Sequence, residues 1–273
     1  MIFGKLFKIR FHLVMFLTAA FFLHPDTVAQ KIKVMSYNIY HGEVNGVPGK
    51  SNLQQVADLI NRFQPDFVAL QEVDSMTNRS AALNNGIRQD LVQELAKMTG
   101  MHGYFGKAID FSDGGYGEGI LSRYPVESRR FELPTPEGGE NRALLLVAHR
   151  FPNGQKIVFG GTHLCHEYAK NQQAQAEAIC DLLKKEKAPV IVAGDFNITE
   201  YSNPYATIAA SFIDVAVQHG NPQNTIPADN PTERIDYIFV SKADQWVVKE
   251  VQVIENDASD HLPVLVTLEL KNK

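Results

Sequence analysis

Two stretches of this chain follow the same plan, and that repetition limits the fold more than any other feature. In the first, residues 33–39 ("KVMSYNI") read as a strand. Residues 52–63 then place Leu53, Val56, Leu59, Ile60 and Phe63 at helical spacing, and after the break "QPD" comes a second strand, "FVALQEV". In the second stretch "QKIVFGGTHL" is a strand, residues 171–187 read as a helix, and "APVIVAGDFN" is a strand. A further helical period in "QDLVQELAKMTG" stops at Gly100. Near the carboxyl end "RIDYIFVS", "EVQVI" and "LPVLVTLEL" are rich in β-branched residues with little helix between them. Two similar halves, each contributing a sheet, predict a layered sandwich of two sheets with helices outside. No linker separates them, so residues 30–273 read as one domain.

The start of the chain stands apart. Lys5, Lys8 and Arg10 precede a 13-residue apolar run broken only by His12 and Thr18, and "PDTVAQ" follows. That is the layout of a secretory signal peptide over residues 1–29, cut near Ala29. The run is short of the roughly 20 apolar residues a membrane span takes, so the expectation is an exported protein, periplasmic or extracellular, with no transmembrane span after cleavage. Removing residues 1–29 moves the formal charge from −5 to −7. An acidic chain lacks the general attraction for phosphate backbones on which non-specific nucleic-acid binding depends. Only Cys165 and Cys180 occur; an exported chain could pair them, or they could remain buried thiols.

Chemistry-bearing side chains collect where the expected strands end: Asn38, Glu72, His163, Asp195, Asn197, Asp236 and the neighbouring Asp260 and His261. The set holds hard oxygen donors and imidazoles but no cysteine cluster. Magnesium takes oxygen donors, keeps several waters, and needs only one or two carboxylates. Glu72 and Asp260 could supply that charge, with Asn38 adding a neutral oxygen.

The six motifs that carry these residues, "SYNI", "LQEV", "GTHL", "GDFN", "RIDYIF" and "SDHLP", resemble in order and spacing those of the endonuclease/exonuclease/phosphatase superfamily. That group includes pancreatic deoxyribonuclease, abasic-site endonucleases, inositol polyphosphate 5-phosphatases and neutral sphingomyelinases. The resemblance spans residues 32–270. It implies an α/β fold, a four-layered sandwich of two packed mixed β-sheets flanked by helices, and a divalent-metal-dependent phosphoesterase using Mg2+ or Mn2+. Carried over position by position, Glu72 is implied as the main metal ligand, with Asn38 and Asp260 near the metal. Asp195 is implied to activate the attacking water, and Asn197 to help hold water and phosphate. His261 is implied to contact the scissile phosphate with Asp236 orienting it, and His163 is implied as a second phosphate contact.

Other features carry less. "HLCHE" groups His163, Cys165, His166 and Glu167, but structural zinc takes four ligands in paired spacings. Many relatives have Asp where Cys165 stands. In "DGGYGEGILSRYP" Glu118 stands where relatives often carry Asn; the segment reads as a hairpin entry or as a backbone approach to ligand. Arg79 and Arg142 are the basic residues best placed in motif order to reach phosphate. Tyr37, Tyr116 and Trp246 read as packing residues. No exposed apolar loop of the kind lipid hydrolysis needs is evident. The expected partner is a phosphoester: a small molecule, a lipid headgroup or a nucleotide. No extensive nucleic-acid surface and a monomeric state are expected. A binding module that had lost its chemistry should lack Glu72, Asp195 or His261, and none is missing.

Overall fold

The computed structural model describes Met1 and residues 29–241 and 243–271. The expected export signal falls on residues 2–28, outside the described residues. The first half runs β1 (Gln30–Asn38), α1 (Leu53–Phe63), β2 (Phe67–Ser75), α2 (Asn78–Ala82), α3 (Leu91–Thr99), β3 (His102–Phe111) and β4 (Gly114–Ser122). It continues through β5 (Glu127–Leu133), β6 (Arg142–Arg150), β7 (Lys156–His163), α4 (Ala169–Leu183), β8 (Val190–Asp195) and α5 (Asn203–Ala209). The last elements are β9 (Ile213–Asp214), α6 (Val215–His219), β10 (Asp236–Val240), β11 (Trp246–Val253) and β12 (Val264–Leu270).

The strands make two six-stranded sheets. The first has the order β11-β12-β1-β2-β4-β3 and the second β5-β6-β7-β8-β10-β9. Each is mixed: β1 and β2 pair in parallel, as do β7 and β8, and their neighbours are antiparallel. Parallel neighbours need a crossover, which α1 and α4 supply. These are the two strand–helix–strand units expected from the periodicity.

The alternation of strand side chains divides the apolar residues into layers. Ile32 and Val34 of β1, Phe67 and Ala69 of β2, Ile157 and Phe159 of β7, and Ile191 and Ala193 of β8 belong to one cluster with residues of both sheets. The alternate residues Met35, Val68 and Leu70 pack with Val56 and Ile60 of α1 and Leu95 of α3. On the second sheet Val158, Val190 and Val192 pack with Ala176, Ile179 and Leu183 of α4. Helix, sheet, sheet and helix thus make the four layers. Trp246 and Tyr37 are buried, as their reading as packing residues expects.

Several elements depart from the periodicity. The glycine-rich "DGGYGEG" is mostly strand: it turns at Ser112–Asp113 and runs down β4, where a Cβ on Gly117 would lie 2.2 Å from Gly106 O. Glycine there permits close strand approach rather than contact with a ligand. The short helices α2, α5 and α6 have no counterpart in the sequence periodicity. Both cysteines are free and buried; Cys165 Sγ accepts from Asn171 Nδ2 at 3.6 Å, and Cys180 Sγ faces Thr207 O at 3.8 Å. Among the described residues no helix is long and apolar enough to cross a membrane.

Candidate active site

The intersheet face turns polar at one end. On β1 the inward positions run Ile32, Val34, Ser36, Asn38; on β7 they run Ile157, Phe159, Gly161, His163; on β8 they run Ile191, Ala193, Asp195. Register then lines them up. His163 stands opposite Asp195 across β7 and β8, and Asp195 opposite Asp236 across β8 and β10. On the first sheet Asn38 stands opposite Gln71. The two ends meet: Asn38 Nδ2 donates to Glu72 Oε1 and to Asp195 Oδ2, both at 3.1 Å, and so bridges the sheets.

Glu72 reaches this point through a β-bulge. Between Leu70 and Val73 the register with β4 slips, and Glu72 takes a left-handed φ of 56°. A bulge re-aims a side chain that regular alternation would send elsewhere. The Glu72 Oε2 atom lies 3.6 Å from His41 Nδ1. Asp260 is tied in through Ser259, whose hydroxyl lies 2.7 Å from Asn38 O and 3.2 Å from Asp260 Oδ1. His261 crosses to the second sheet, with Nδ1 2.9 Å from Asp236 Oδ2 and Nε2 3.7 Å from Asp195 Oδ2. Asp236 Oδ2 also accepts from Thr225 Oγ1 at 2.6 Å. Asn197 has a left-handed φ of 50°, and its amide nitrogen sits 2.9 Å from His163 Nε2.

Electrostatics separates the two imidazoles. Burial disfavours charge on His261, but Asp236, Asp195 and Asp260 outweigh it and raise the ring to about 10, so it is a cation at neutral pH. Burial and the adjacent Arg142 charge push His163 well below 6.5, so it is neutral. The expectation of two like imidazoles is thereby refined to one charged and one neutral. Burial also opposes ionisation of Glu72, yet His41, the imidazoles and the Asn38 amide bring the carboxyl to about 2. Since His163 is neutral, the cation acting on Glu72 at pH 7 is His261. Burial raises Asp195, with the His261 charge opposing and Asp236 reinforcing.

Two groupings could hold a cation. Asp195, Asp236 and His261 offer ligand atoms within 4.8 Å of one another, but the ring nitrogen and Asp236 are already joined by a hydrogen bond. Glu72 and Asp260 fit a hard divalent ion better. Glu72 is ionised and partly open to solvent. Asp260 is raised by burial, with the Glu72 charge adding to the rise, a repulsion that a bound cation relieves. The "HLCHE" residues do not gather. Cys165 is buried against Asn171, and His166 Nδ1 faces Arg142 Nη2 at 3.1 Å.

The two arginines part ways. Arg142 is 2% exposed and lies in the site, with Nη1 2.6 Å from Glu140 Oε1 and 3.3 Å from His163 Nδ1. Arg79 forks onto Asp74 at 2.9 and 2.7 Å and lies over the Phe111 and Tyr116 rings. Its guanidinium is therefore engaged in the wall beside the site. Glu118 is fully buried near Arg142, and burial raises its carboxyl to about 8 despite that charge.

His41, Glu43 and Asn52 escape the sequence reading. Asn52 reads there only as a helix start, yet its Nδ2 lies 2.8–2.9 Å from Ile39 O, Glu43 O and Ala258 O, tying the loop after Asn38 to the loop before Asp260. The one available signal is Gly42, which follows two polar-capable residues at a strand exit and takes a φ of 85°.

A family model described as the endonuclease/exonuclease/phosphatase family matches residues 35–261. The uncharacterized protein YbhP of Escherichia coli is 26% identical over 254 residues, which is 90% of this chain and all of the relative. An endonuclease/exonuclease/phosphatase structure from Beutenbergia cavernae superposes with a TM-score of 0.71 at 23% identity, covering 89% of this chain and 72% of that one. The mannosyl-6-phosphatase of Bacteroides thetaiotaomicron superposes with a TM-score of 0.69 at 20% identity, covering 87% and 99%. With its two mixed sheets and the strand-end motifs now in one cleft, the chain belongs to the endonuclease/exonuclease/phosphatase family.

Proposed function

We propose that the protein is an exported phosphoesterase that hydrolyses a phosphodiester by attack of water, with a divalent cation, Mg2+ or Mn2+, held by Glu72, Asn38 and Asp260. One observation carries this reading: the Asn38 amide touches Glu72 and Asp195 at once, so a cation ligand and a water-activating carboxylate share a single cleft. When bound, the cation would polarise the phosphoryl group and stabilise the leaving oxygen. Asp195, raised by burial, accepts the proton of the attacking water, since a base works best with a pKa near the working pH. Asn197, whose own amide donates to Asp195 Oδ1 at 2.9 Å, fixes that carboxylate and helps hold the phosphate. His261 donates from Nε2 to the phosphate as charge builds, because Asp236 holds its other nitrogen and keeps it cationic. His163 is a neutral phosphate contact with Arg142 behind it. Arg79 would serve the phosphate only from the wall. Export rests on the reading of residues 1–29, and a monomer acting on a small phosphoester on the acidic charge of the chain.

A second reading is favoured by one surface feature. Met76, Ile87 and Phe111 are 50, 65 and 37% exposed. They sit on segments joined by Asn78 N to Ser112 O and Arg88 Nη1 to Asp113 O, four residues beyond Glu72 at the nearest. The apolar projection not evident in the sequence thus exists, and it suits a phospholipid or sugar-phosphate headgroup substrate presented at a lipid surface.

The test is hydrolysis of bis-p-nitrophenyl phosphate with Mg2+ and with chelator, alongside sphingomyelin and phosphatidylinositol vesicles. Loss of diester hydrolysis on chelation is expected. Equal rates with and without chelator would overturn the metal role, and preference for vesicles would select the second reading.

A further inference from the structure

The turn that leaves β1 is unusual for its residues. Tyr40, His41 and Gly42 take φ values of 48°, 44° and 85° in succession. Glycine adopts this region freely, but a residue with a side chain loses on the order of 1 kcal/mol there. Strain of this kind persists only where the surroundings hold it in place, and here they do. Tyr40 N donates to Asn38 Oδ1 at 3.1 Å, and Asn52 Nδ2 holds the carbonyls of Ile39 and Glu43. The product of the turn is the place of one ring. His41 lies between two carboxylates, with Nδ1 3.6 Å from Glu72 Oε2 and Nε2 3.7 Å from Glu43 Oε2. Asn38 already occupies the other Glu72 oxygen.

We propose that His41 is a positioning residue for the Glu72 carboxylate, with Glu43 steadying the far side of its ring; the inference rests on the reading of Glu72 as the cation ligand. A carboxylate held at one oxygen still turns about its last bond, whereas contacts at both oxygens fix its plane. Outer partners of this kind typically change metal affinity by about 10–100-fold. Glu43 acts one step further out and has the smaller effect.

The test is Mn2+ binding, read from the free-ion electron paramagnetic resonance signal, which needs no turnover. Wild type is compared with His41→Ala, His41→Gly, His41→Asn, Glu43→Gln and Glu72→Gln. His41→Ala is expected to weaken Mn2+ by about 10–100-fold and Glu43→Gln by a few-fold. His41→Gly relieves the backbone, so its melting temperature should match or exceed that of wild type while its Mn2+ affinity falls with that of the alanine variant. Asparagine tolerates left-handed φ and keeps a donor, so His41→Asn should recover part of the loss. Wild-type affinity in both His41→Ala and His41→Gly overturns the proposal. So does recovery in His41→Gly alone, which would assign the turn a backbone role only. If wild type binds no Mn2+, or Glu72→Gln binds it as well as wild type, the cation reading itself fails and the proposal falls with it.

Discussion

On the second sheet His163, Asp195 and Asp236 stand in one row across three regular strands, whereas on the first sheet Glu72 needs a bulge and Asn38 a left-handed turn beside it. The second sheet places its groups by register alone, and what remains is to set their charges: burial, Arg142 and Asp236 leave one imidazole neutral and the other cationic. The first sheet departs from regular backbone at Tyr40, His41 and Glu72 to turn oxygen atoms toward a common point. A row of strand ends suffices to bind and protonate, while converging hard donors on one cation demands irregular backbone.

The largest expected effect falls on the regular side. Asp195→Ala should lower turnover by about a thousandfold, the scale of a lost general base, and leave the fold intact because a buried carboxylate is removed rather than exposed. A fall below tenfold, with circular dichroism unchanged, would break the assignment of Asp195 as the base.

Asp236→Asn sharpens the comparison of the imidazoles. With Asp236 neutral, His261 loses the largest of the charges that hold it near 10, so its proton leaves at lower pH. The alkaline limb of the kcat/KM profile should move down by one or more pH units, with a loss of about 10–100-fold at pH 8. An alkaline limb in the same place would remove the cationic role of His261.

The smallest effect concerns stability. Glu118 is raised from 4.5 to about 8 by burial, so its contribution is complete below pH 4.5 and is lost as the pH rises toward 8. Glu118→Gln cannot ionise. It should match wild type near pH 4.5 and unfold at higher denaturant than wild type at pH 8.5, by roughly 1–4 kcal/mol. Parallel curves across that range would mean that Glu118 is not held neutral.

The second sheet is more legible in the sequence than the first for the same physical reason. Alternation carries Phe159, Gly161 and His163, or Ile191, Ala193 and Asp195, to one face, so position in a strand predicts place in the cleft. Glu72 breaks alternation after Leu70, and only the motif resemblance points to it. His41, Glu43 and Asn52 act through a local turn whose left-handed angles leave no periodic trace. Arg79 is legible as a basic residue near the motif, but its partner Asp74 lies five positions away across a turn that periodicity does not describe. The hairpin of β3 and β4 hides behind its glycines, which sequence patterns associate with loops.

Whether the irregular first sheet and the regular second sheet serve one phosphate is decided by anomalous scattering from crystals grown with Mn2+ and orthophosphate. The expected result is an ion beside Glu72 and Asp260, with the phosphate between it and the rings of His163 and His261. An ion seated instead among Asp195, Asp236 and His261, or a phosphate bound away from both rings, would contradict that division of labour.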